Sequence, residues 1–295
     1  MGKIKSTKRK TAGDYAIFVT LTILALVIVL PFYMSIVVSF ETPAAYARNP
    51  AALWPGEFTL ANYQFLLDSG ALGTGYANTI FISGVGLIYA MLIMISMAYA
   101  FSRPAFYGKK FFFLVMLVTM FFGGGLVPTY LLMKNLGLRN TLWGIILMSG
   151  VSAYNIIIMK GGFESIPPSL SEAATIDGAN DLQIFWKVML PLQMPLLATF
   201  SLFTVVSYWN NWYWPSLLLS KSNLQPLQLV LRSIVNQASQ VQQAGQSASG
   251  MASEDLFSEG LKMAAVVATM LPIMCVYPFL QKYFTKGVLV GSIKM

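Results

Sequence analysis

Six long apolar runs constrain this chain more than any other feature of its sequence. Short polar segments separate them, and none of the runs contains Asp, Glu, Lys, Arg or His. A bilayer core of about 30 Å takes roughly 20 residues of helix to cross, because lipid offers the backbone no hydrogen-bond partners. We therefore predict an all-α membrane protein with six transmembrane helices. The predicted spans are 16–40, 78–102, 111–133, 140–159, 196–219 and 263–281.

Composition excludes several kinds of chemistry. The chain has no histidine and one cysteine, Cys275, which argues against zinc sites, disulfides and His-based nucleophilic catalysis. It also lacks the Gly-x-x-x-x-Gly-Lys phosphate loop, so it is not predicted to hydrolyse ATP. We expect a non-catalytic membrane subunit that holds no metal and no cofactor. The predicted spans also lack the ionisable residues of a proton relay.

Basic residues predict the orientation in the membrane. Alternate connections place 13 of the 19 basic residues on one face and six on the other, which predicts that both termini are cytoplasmic. The net charge of +8 is thereby explained by topology, and we predict no nucleic-acid partner. The first group is Lys3, Lys5, Lys8, Arg9, Lys10, Arg103, Lys109, Lys110, Lys160, Lys187, Lys282, Lys286 and Lys294, and the second is Arg48, Lys134, Arg139, Lys221, Arg232 and Lys262.

The segment Pro167–Pro191, between the fourth and fifth runs, is polar and punctuated by helix signals. Its Ser-Leu-Ser-Glu pattern from Ser169 to Glu172 predicts a capping box, in which the serine and glutamate side chains satisfy free backbone amides. Gly178 is expected to end this short helix, and Asn180 or Asp181 to cap the next. The pattern predicts a helix-turn-helix projection in water that a partner can grip.

The same segment resembles a known signature. Glu172-Ala-Ala-x-x-x-Gly178, followed ten residues later by Val188-Met-Leu-Pro191, is similar to the EAA motif of ABC importer permeases, with Val where isoleucine is common. Further stretches resemble the carbohydrate branch of that family, and the likeness covers nearly the whole chain. They are Phe58–Tyr63, Asn78-Thr79, Gly123–Tyr130, Leu136–Thr141 and Lys286–Lys294.

The resemblance implies a type I ABC importer permease fold with a cytoplasmic coupling helix. It divides the chain into an N-terminal segment (1–15), a permease domain (16–285) and a C-terminal tail (286–295), with a coupling loop at about residues 164–191. In the family this loop docks on a cytoplasmic ATPase subunit, whereas a purely local alternative is that Glu172 only caps its own helix. The residues to which the resemblance assigns docking are Glu172, Ala173, Ala174, Asp177, Gly178, Leu190 and Pro191.

The resemblance also implies partners and a location. We expect a homologous second permease subunit, two ATPase subunits that carry ATP and Mg, and a periplasmic or extracellular solute-binding protein. The chain would lie in the lipid of a bacterial inner (plasma) membrane and form half of the pore for a carbohydrate. Among relatives, its motifs look most like those of permeases for larger or uronate-containing oligosaccharides, such as alginate. Two alternatives are an ion-coupled secondary sugar transporter, which needs no ATPase, and a membrane scaffold or receptor without transport.

Polar and aromatic residues inside the spans are candidates for the substrate pathway, because aromatic faces and amides suit sugars. In the fifth span these are Tyr208, Asn210, Asn211 and Trp212, and in the fourth span Tyr154 and Asn155. An aromatic belt at the membrane interface, with Asn side chains joining helices, is the alternative.

Two further predictions concern the backbone. Gly123-Gly-Gly125 with Pro128 predicts a kink in the third span, and the composition of residues 236–250 predicts a flexible connection.

Overall fold

The computed structural model describes residues 12–103, 107–247 and 259–275 of the chain. Contacts between Cα atoms divide it into two units. Unit 1 comprises Met1–Asp68 with Ile234–Ala268, and unit 2 comprises Ser69–Ser233 with Thr269–Met295. The predicted C-terminal tail, 286–295, lies outside the described residues, as do residues 1–11 of the predicted N-terminal segment.

Unit 1 begins with a long apolar helix, α1 (Ala12–Ser39), of 28 residues. Its apolar side chains are exposed along most of its length, as expected for a helix that faces lipid or a partner. Two short helices follow, α2 (Pro43–Arg48) and α3 (Ala61–Asp68). The Thr42 hydroxyl caps α2 by accepting a bond from the Ala45 amide.

Unit 2 is built around α4 (Ala71–Ser102), a helix of 32 residues. At 1.5 Å per residue it is about 48 Å long, enough to cross a bilayer and extend beyond it. Gly86, Ala90, Met94 and Ala98 recur every four residues and are all buried, so they form one stripe along the helix. Because most of them are small, neighbouring helices can approach α4 closely.

The remaining helices of unit 2 are shorter. They are α5 (Lys109–Phe121), α6 (Leu126–Asn135), α7 (Leu142–Met148), α8 (Ala153–Glu164), α9 (Pro168–Ile176), α10 (Asp181–Ile184), a π-helix (Phe185–Met189), α11 (Leu190–Leu192), α12 (Met194–Trp209), α13 (Tyr213–Leu218), a 3₁₀ turn (Ser222–Leu224) and α14 (Leu227–Ser247), the last of which continues past this unit. Helices α7, α8 and α12 pack against α4.

The spans are less regular than the apolar runs suggest. Among the described residues, two unbroken helices, α1 and α4, are long and apolar enough to cross a membrane, and three bent pairs bring the number to at most five. The pairs bend by 117° between α5 and α6, by 52° between α7 and α8, and by 78° between Asp181–Leu192 and Met194–Leu218. The sixth predicted span, 263–281, begins within a helical segment at 259–275 and continues beyond the described residues.

The glycine run in the third span does more than bend a helix. The single helix predicted over 111–133 is two helices, α5 and α6, that meet at 117°. Gly125 has φ 78° and ψ 172°, a conformation that only glycine adopts without strain. This backbone conformation ends one helix and begins the next.

The flexible connection predicted at residues 236–250 is wrong over residues 236–247, because α14 extends to Ser247. Gln and Ala dominate this stretch and are good helix formers, so a polar composition did not indicate a loop.

Candidate functional site

The coupling loop is a helix-turn-helix, as predicted. Helix α9 spans nine residues, and Gly178 ends it with φ 82°. A Cβ added at Gly178 would meet nothing within 4 Å, so the site selects glycine for its backbone conformation and not for space. The Ala179 amide donates to the Ala174 carbonyl at 2.9 Å, which closes the helix end in the manner of a Schellman motif.

The predicted capping box at Ser169–Glu172 is wrong. Helix α9 begins at Pro168, after the N-cap residue Pro167, and no side chain caps it. A proline at the first helical position has its φ already set for a helix and no amide to satisfy, so the helix starts ahead of Ser169. Glu172 is the fifth residue of α9, and the alternative that it caps its own helix is wrong as well.

A capping box does occur, at the second helix of the coupling loop. The Asn180 side-chain oxygen accepts a hydrogen bond from the backbone N–H of Gln183 at 2.8 Å. In return, the Gln183 side-chain oxygen accepts one from the backbone N–H of Asn180 at 3.0 Å. Of the two N-caps that the sequence allowed, Asn180 is therefore the one used. These bonds fix the direction in which the chain leaves the turn.

The outer surface of the coupling loop combines apolar and acidic side chains. Glu172, Ala173, Asp177 and Gly178 are exposed and Ala174 is half-buried. Four large apolar side chains are also exposed: 43% of Leu170, 86% of Ile176, 65% of Leu182 and 55% of Trp186. Exposed apolar side chains grouped in a polar segment are typical of a surface that binds another protein.

Glu172 also borders a cavity of about 440 Å³ at the base of α9. Arg103, at the end of α4, is held over the Tyr99 ring with its guanidinium 4.8 Å from the ring centre, and one of its nitrogens lies 3.5 Å from the Ser171 hydroxyl. Within the described part of the chain, Glu172 has no ion-pair partner. The cavity therefore offers a carboxylate, a hydroxyl and a cation to a visiting side chain. Its lining residues are Ser102, Arg103, Phe163, Glu164, Ile166, Pro168, Ser171, Glu172 and Met189.

Leu190 and Pro191 end the coupling loop at an irregular helical turn. Proline inside a helix normally clashes with the carbonyl four residues earlier. Here the preceding residues form the π-helix, and the Leu190 amide donates to the Phe185 carbonyl, five residues back. The wider turn gives the proline ring room. Leu190 is half-buried and Pro191 is exposed.

The fifth-span candidates have different environments. Tyr208 is 2% exposed, and its hydroxyl donates to the Ile146 carbonyl at 2.8 Å and also contacts the Ser149 carbonyl. Its ring lies where Gly86 and Gly150 have no side chain, and a Cβ at either glycine would overlap it. The structure gives Tyr208 a packing position, and its predicted place in the substrate pathway stays a prediction.

Asn210, Asn211 and Trp212 form the break between α12 and α13. The Asn211 amide donates to the Ser149 hydroxyl at 2.9 Å, which connects this break with the one between α7 and α8. Asn210 and Trp212 are exposed, and each contacts α14 instead. In the fourth span, Tyr154 is 57% exposed. The backbone N–H of Asn155 donates to the Ser152 hydroxyl at the start of α8.

Arg232 was not predicted as a site residue, because the sequence indicated only its contribution to the orientation of the chain in the membrane. Its guanidinium carbon lies 3.7 Å from the centre of the Trp212 ring. The spacing of Gln228 and Arg232, one helical turn apart, was the available signal, but it could not be used while the following residues were predicted to form a loop. Among residues 12–103, 107–247 and 259–275, no three His, Cys, Asp or Glu side chains are grouped so that they could hold a metal ion.

Comparison with known proteins identifies what this arrangement resembles. Residues 95–290 match the family model described as "Binding-protein-dependent transport system inner membrane component". The polygalacturonan/rhamnogalacturonan transport system permease protein of Bacillus subtilis (strain 168) is 38% identical over 282 residues, which cover 95% of this chain and 98% of that protein. The arabinooligosaccharides transport system permease protein of Halalkalibacterium halodurans is 28% identical over 294 residues, which cover 97% of this chain and 99% of that protein.

A solved structure is similar over almost the same length. It is the crystal structure of a bacterial ABC transporter involved in the import of the acidic polysaccharide alginate. One of its chains aligns with a TM-score of 0.82 and 34% identity, over 94% of this chain and 100% of that chain.

Proposed function

This chain belongs to the family of binding-protein-dependent transport system inner membrane components, and on that premise we propose that it forms half of the pore of an ATP-driven carbohydrate importer. A homologous permease subunit forms the other half. Two ATPase subunits bind and hydrolyse ATP with Mg, and a solute-binding protein delivers the substrate. The relatives named above are permeases of such systems and give the ion-coupled carrier no support.

The exposed coupling loop is the observation that supports this proposal most strongly. Helix α9 buries none of its own residues, although it follows a membrane span. A short helix with this much exposed apolar surface gains stability by docking. We assign the docking contact to Glu172, Ala173, Ala174, Asp177 and Gly178, with Leu190 and Pro191 joining the loop to the next span.

The proposed orientation places the coupling loop and both termini in the cytoplasm. The positive-inside rule supports it, because ten of the basic residues lie in the N-terminal segment, the connection after α4 and the coupling loop with its flanks. The chain is then organised as a cytoplasmic segment (1–15), a permease domain (16–285) and a cytoplasmic tail (286–295).

The proposed substrate is an acidic oligosaccharide. Two of the similar proteins, at 38% and 34% identity, belong to systems for polygalacturonan with rhamnogalacturonan and for alginate. Both polygalacturonan and alginate are built of uronate sugars, which carry one carboxylate per residue. We propose that Tyr208, Asn210, Asn211 and Trp212, with Tyr154 and Asn155, border the route of this substrate.

Co-purification of the tagged chain from its host in mild detergent tests the coupling assignment. We compare the wild type with Gly178→Val and with Gly178→Asn. Valine is strained at φ 82°, whereas asparagine tolerates this conformation, so only valine should distort the turn. The wild type and the asparagine variant should bring down an ATPase and a second permease, and the valine variant should keep the permease and lose the ATPase.

Two results would contradict the proposal. If the ATPase stays bound to Gly178→Val as tightly as to the wild type, the coupling loop is not its docking site. If all three forms purify alone, the chain is not part of an importer complex.

A further inference from the structure

The acidic residues of unit 2 lie near one end of α4, whereas the other end has only basic residues among its charged side chains. These acidic residues, Glu164, Glu172, Asp177 and Asp181, all belong to the coupling loop, at the end of α4 marked by Arg103. The opposite end is marked by the first turns of α4, where Thr79 accepts a bond from the Leu227 amide and Asn78 donates to the Asn223 carbonyl. In sequence, the parts of unit 2 that form this end contain basic residues and no Asp or Glu.

Two of the basic residues at this end have defined contacts. Arg139 donates to the Ser220 hydroxyl at 3.2 Å, in the loop that leads to the 3₁₀ turn. Arg232, on α14, stacks on Trp212 at 3.7 Å. The stacking is well within the distance at which a guanidinium is attracted to an aromatic face. The contact favours the orientation of Arg232 in which its guanidinium lies over the ring, although the side chain is exposed.

The pair is part of a larger contact between α14 and the α12–α13 break. Gln228 and Arg232 lie one turn apart on the same face of α14. Gln228 donates to the Asn210 side chain at 3.4 Å, and Arg232 covers Trp212. Two neighbouring contacts, Gln228 with Asn210 and Arg232 with Trp212, thus bring a cation beside two residues of the predicted substrate pathway.

A stacked guanidinium keeps its hydrogen-bond donors available. Stacking uses the flat face of the group, whereas its five N–H donors point outward from its edge. Within the described residues, no carboxylate is paired with Arg232. The fork geometry of these donors matches the two oxygens of a carboxylate.

We propose that Arg232, held by Trp212 and flanked by Asn210 and Gln228, recognises the carboxylate of a uronate residue in the oligosaccharide. The amides supply further donors and acceptors for ring hydroxyls. This inference rests on the proposed function, because it assigns a specificity-determining residue to the proposed pathway. It also identifies a positive charge for an acidic substrate in a protein whose predicted spans contain none.

Transport by the complete importer, reconstituted in proteoliposomes with its binding protein, tests the inference. Uptake of a galacturonate trisaccharide is compared with uptake of its methyl ester, which keeps the sugar rings and their hydroxyls but replaces each carboxylate by a neutral ester. Arg232→Gln should raise the KM for the acid by about tenfold or more and leave the KM for the ester within about twofold. Arg232→Lys keeps the charge without the fork and should lie between the wild type and Arg232→Gln for the acid.

Arg139→Gln is the matched control, since it removes a charge from the same end of unit 2 without touching the stacked pair. It should change neither KM by more than about twofold. Thermal unfolding of each purified complex verifies that the variants are folded.

Three outcomes overturn the inference. An unchanged KM for the acid in Arg232→Gln shows that the guanidinium does not meet the carboxylate. An equal loss for acid and ester indicates a role in structure or in docking the binding protein. Failure of the wild type to take up the acid at all overturns the acidic substrate of the proposed function, and the inference with it.

Discussion

At the scale of single residues, Tyr208 shows how a polar side chain can serve the interior of a span. Helix α7 ends at Met148, so carbonyls of its last turn lack partners within the helix. The Tyr208 hydroxyl reaches two carbonyls at this end, those of Ile146 and Ser149. The tyrosine thereby stabilises the break between α7 and α8, because lipid could not donate hydrogen bonds to these carbonyls.

Replacing Tyr208 by Phe removes only the hydroxyl and should lower the thermal stability of the purified chain. The ring still fills the space beside Gly86 and Gly150, but the carbonyls lose their donor, at a cost of about 1–3 kcal/mol. The melting temperature in detergent measures the effect. Tyr154→Phe is the control, because that side chain is 57% exposed and its loss should have little effect. Equal melting temperatures for all three proteins would show that the hydroxyl contributes nothing.

At the scale of helices, the coupling loop depends on one cap and not on the other. Asn180→Ala should loosen the start of α10, because it removes one half of a reciprocal capping box worth about 1 kcal/mol. Ser169→Ala should have no such effect, since Ser169 caps nothing. Backbone hydrogen exchange over residues 181–192 provides the measurement. This assignment of the caps is contradicted if exchange becomes faster in Ser169→Ala, or if its rate in Asn180→Ala equals that of the wild type.

The element boundaries also show what could be predicted from the sequence. The apolar runs predicted α1, α4 and the positions of three further spans, because hydropathy depends on composition alone. The glycines at 123–125 revealed one break in advance. The breaks at Gly150 and at Asn210–Trp212 were missed, since they depend on contacts between distant residues, such as Asn211 with Ser149. Ser169 was misjudged as a cap because Pro168 starts the helix first.

The candidate site was predictable to different degrees for the same reason. The turn at Gly178 and the cap of the next helix are local, and the sequence predicted the turn and narrowed the cap to Asn180 or Asp181. The contact between Arg232 and Trp212 joins residues from separate helices, and it required the fold. Nothing in the spacing of these two residues indicates that they stack.

At the scale of the whole molecule, the composition of the spans bears on the source of energy for transport. A carrier that couples to protons normally places an ionisable side chain within the membrane despite a cost of at least about 2.5 kcal/mol. No predicted span of this chain contains one. The coupling loop, in contrast, presents exposed apolar and acidic side chains at the docking site that we propose for an ATPase. Movement of that loop can shift the pore between two states only if the ATPase interacts differently with each.

We therefore expect that uptake by the reconstituted importer depends on ATP alone. Proteoliposomes that enclose ATP and Mg should accumulate the sugar, and ionophores that collapse proton and sodium gradients should leave the initial rate unchanged. Vesicles that enclose a non-hydrolysable ATP analogue are the control and should show no accumulation, because repeated cycles require hydrolysis. Uptake that proceeds without ATP and stops when the gradients collapse would contradict this expectation and support the ion-coupled secondary transporter. Because each vesicle preparation differs only in its nucleotide or ionophore, the result separates the two energy sources directly.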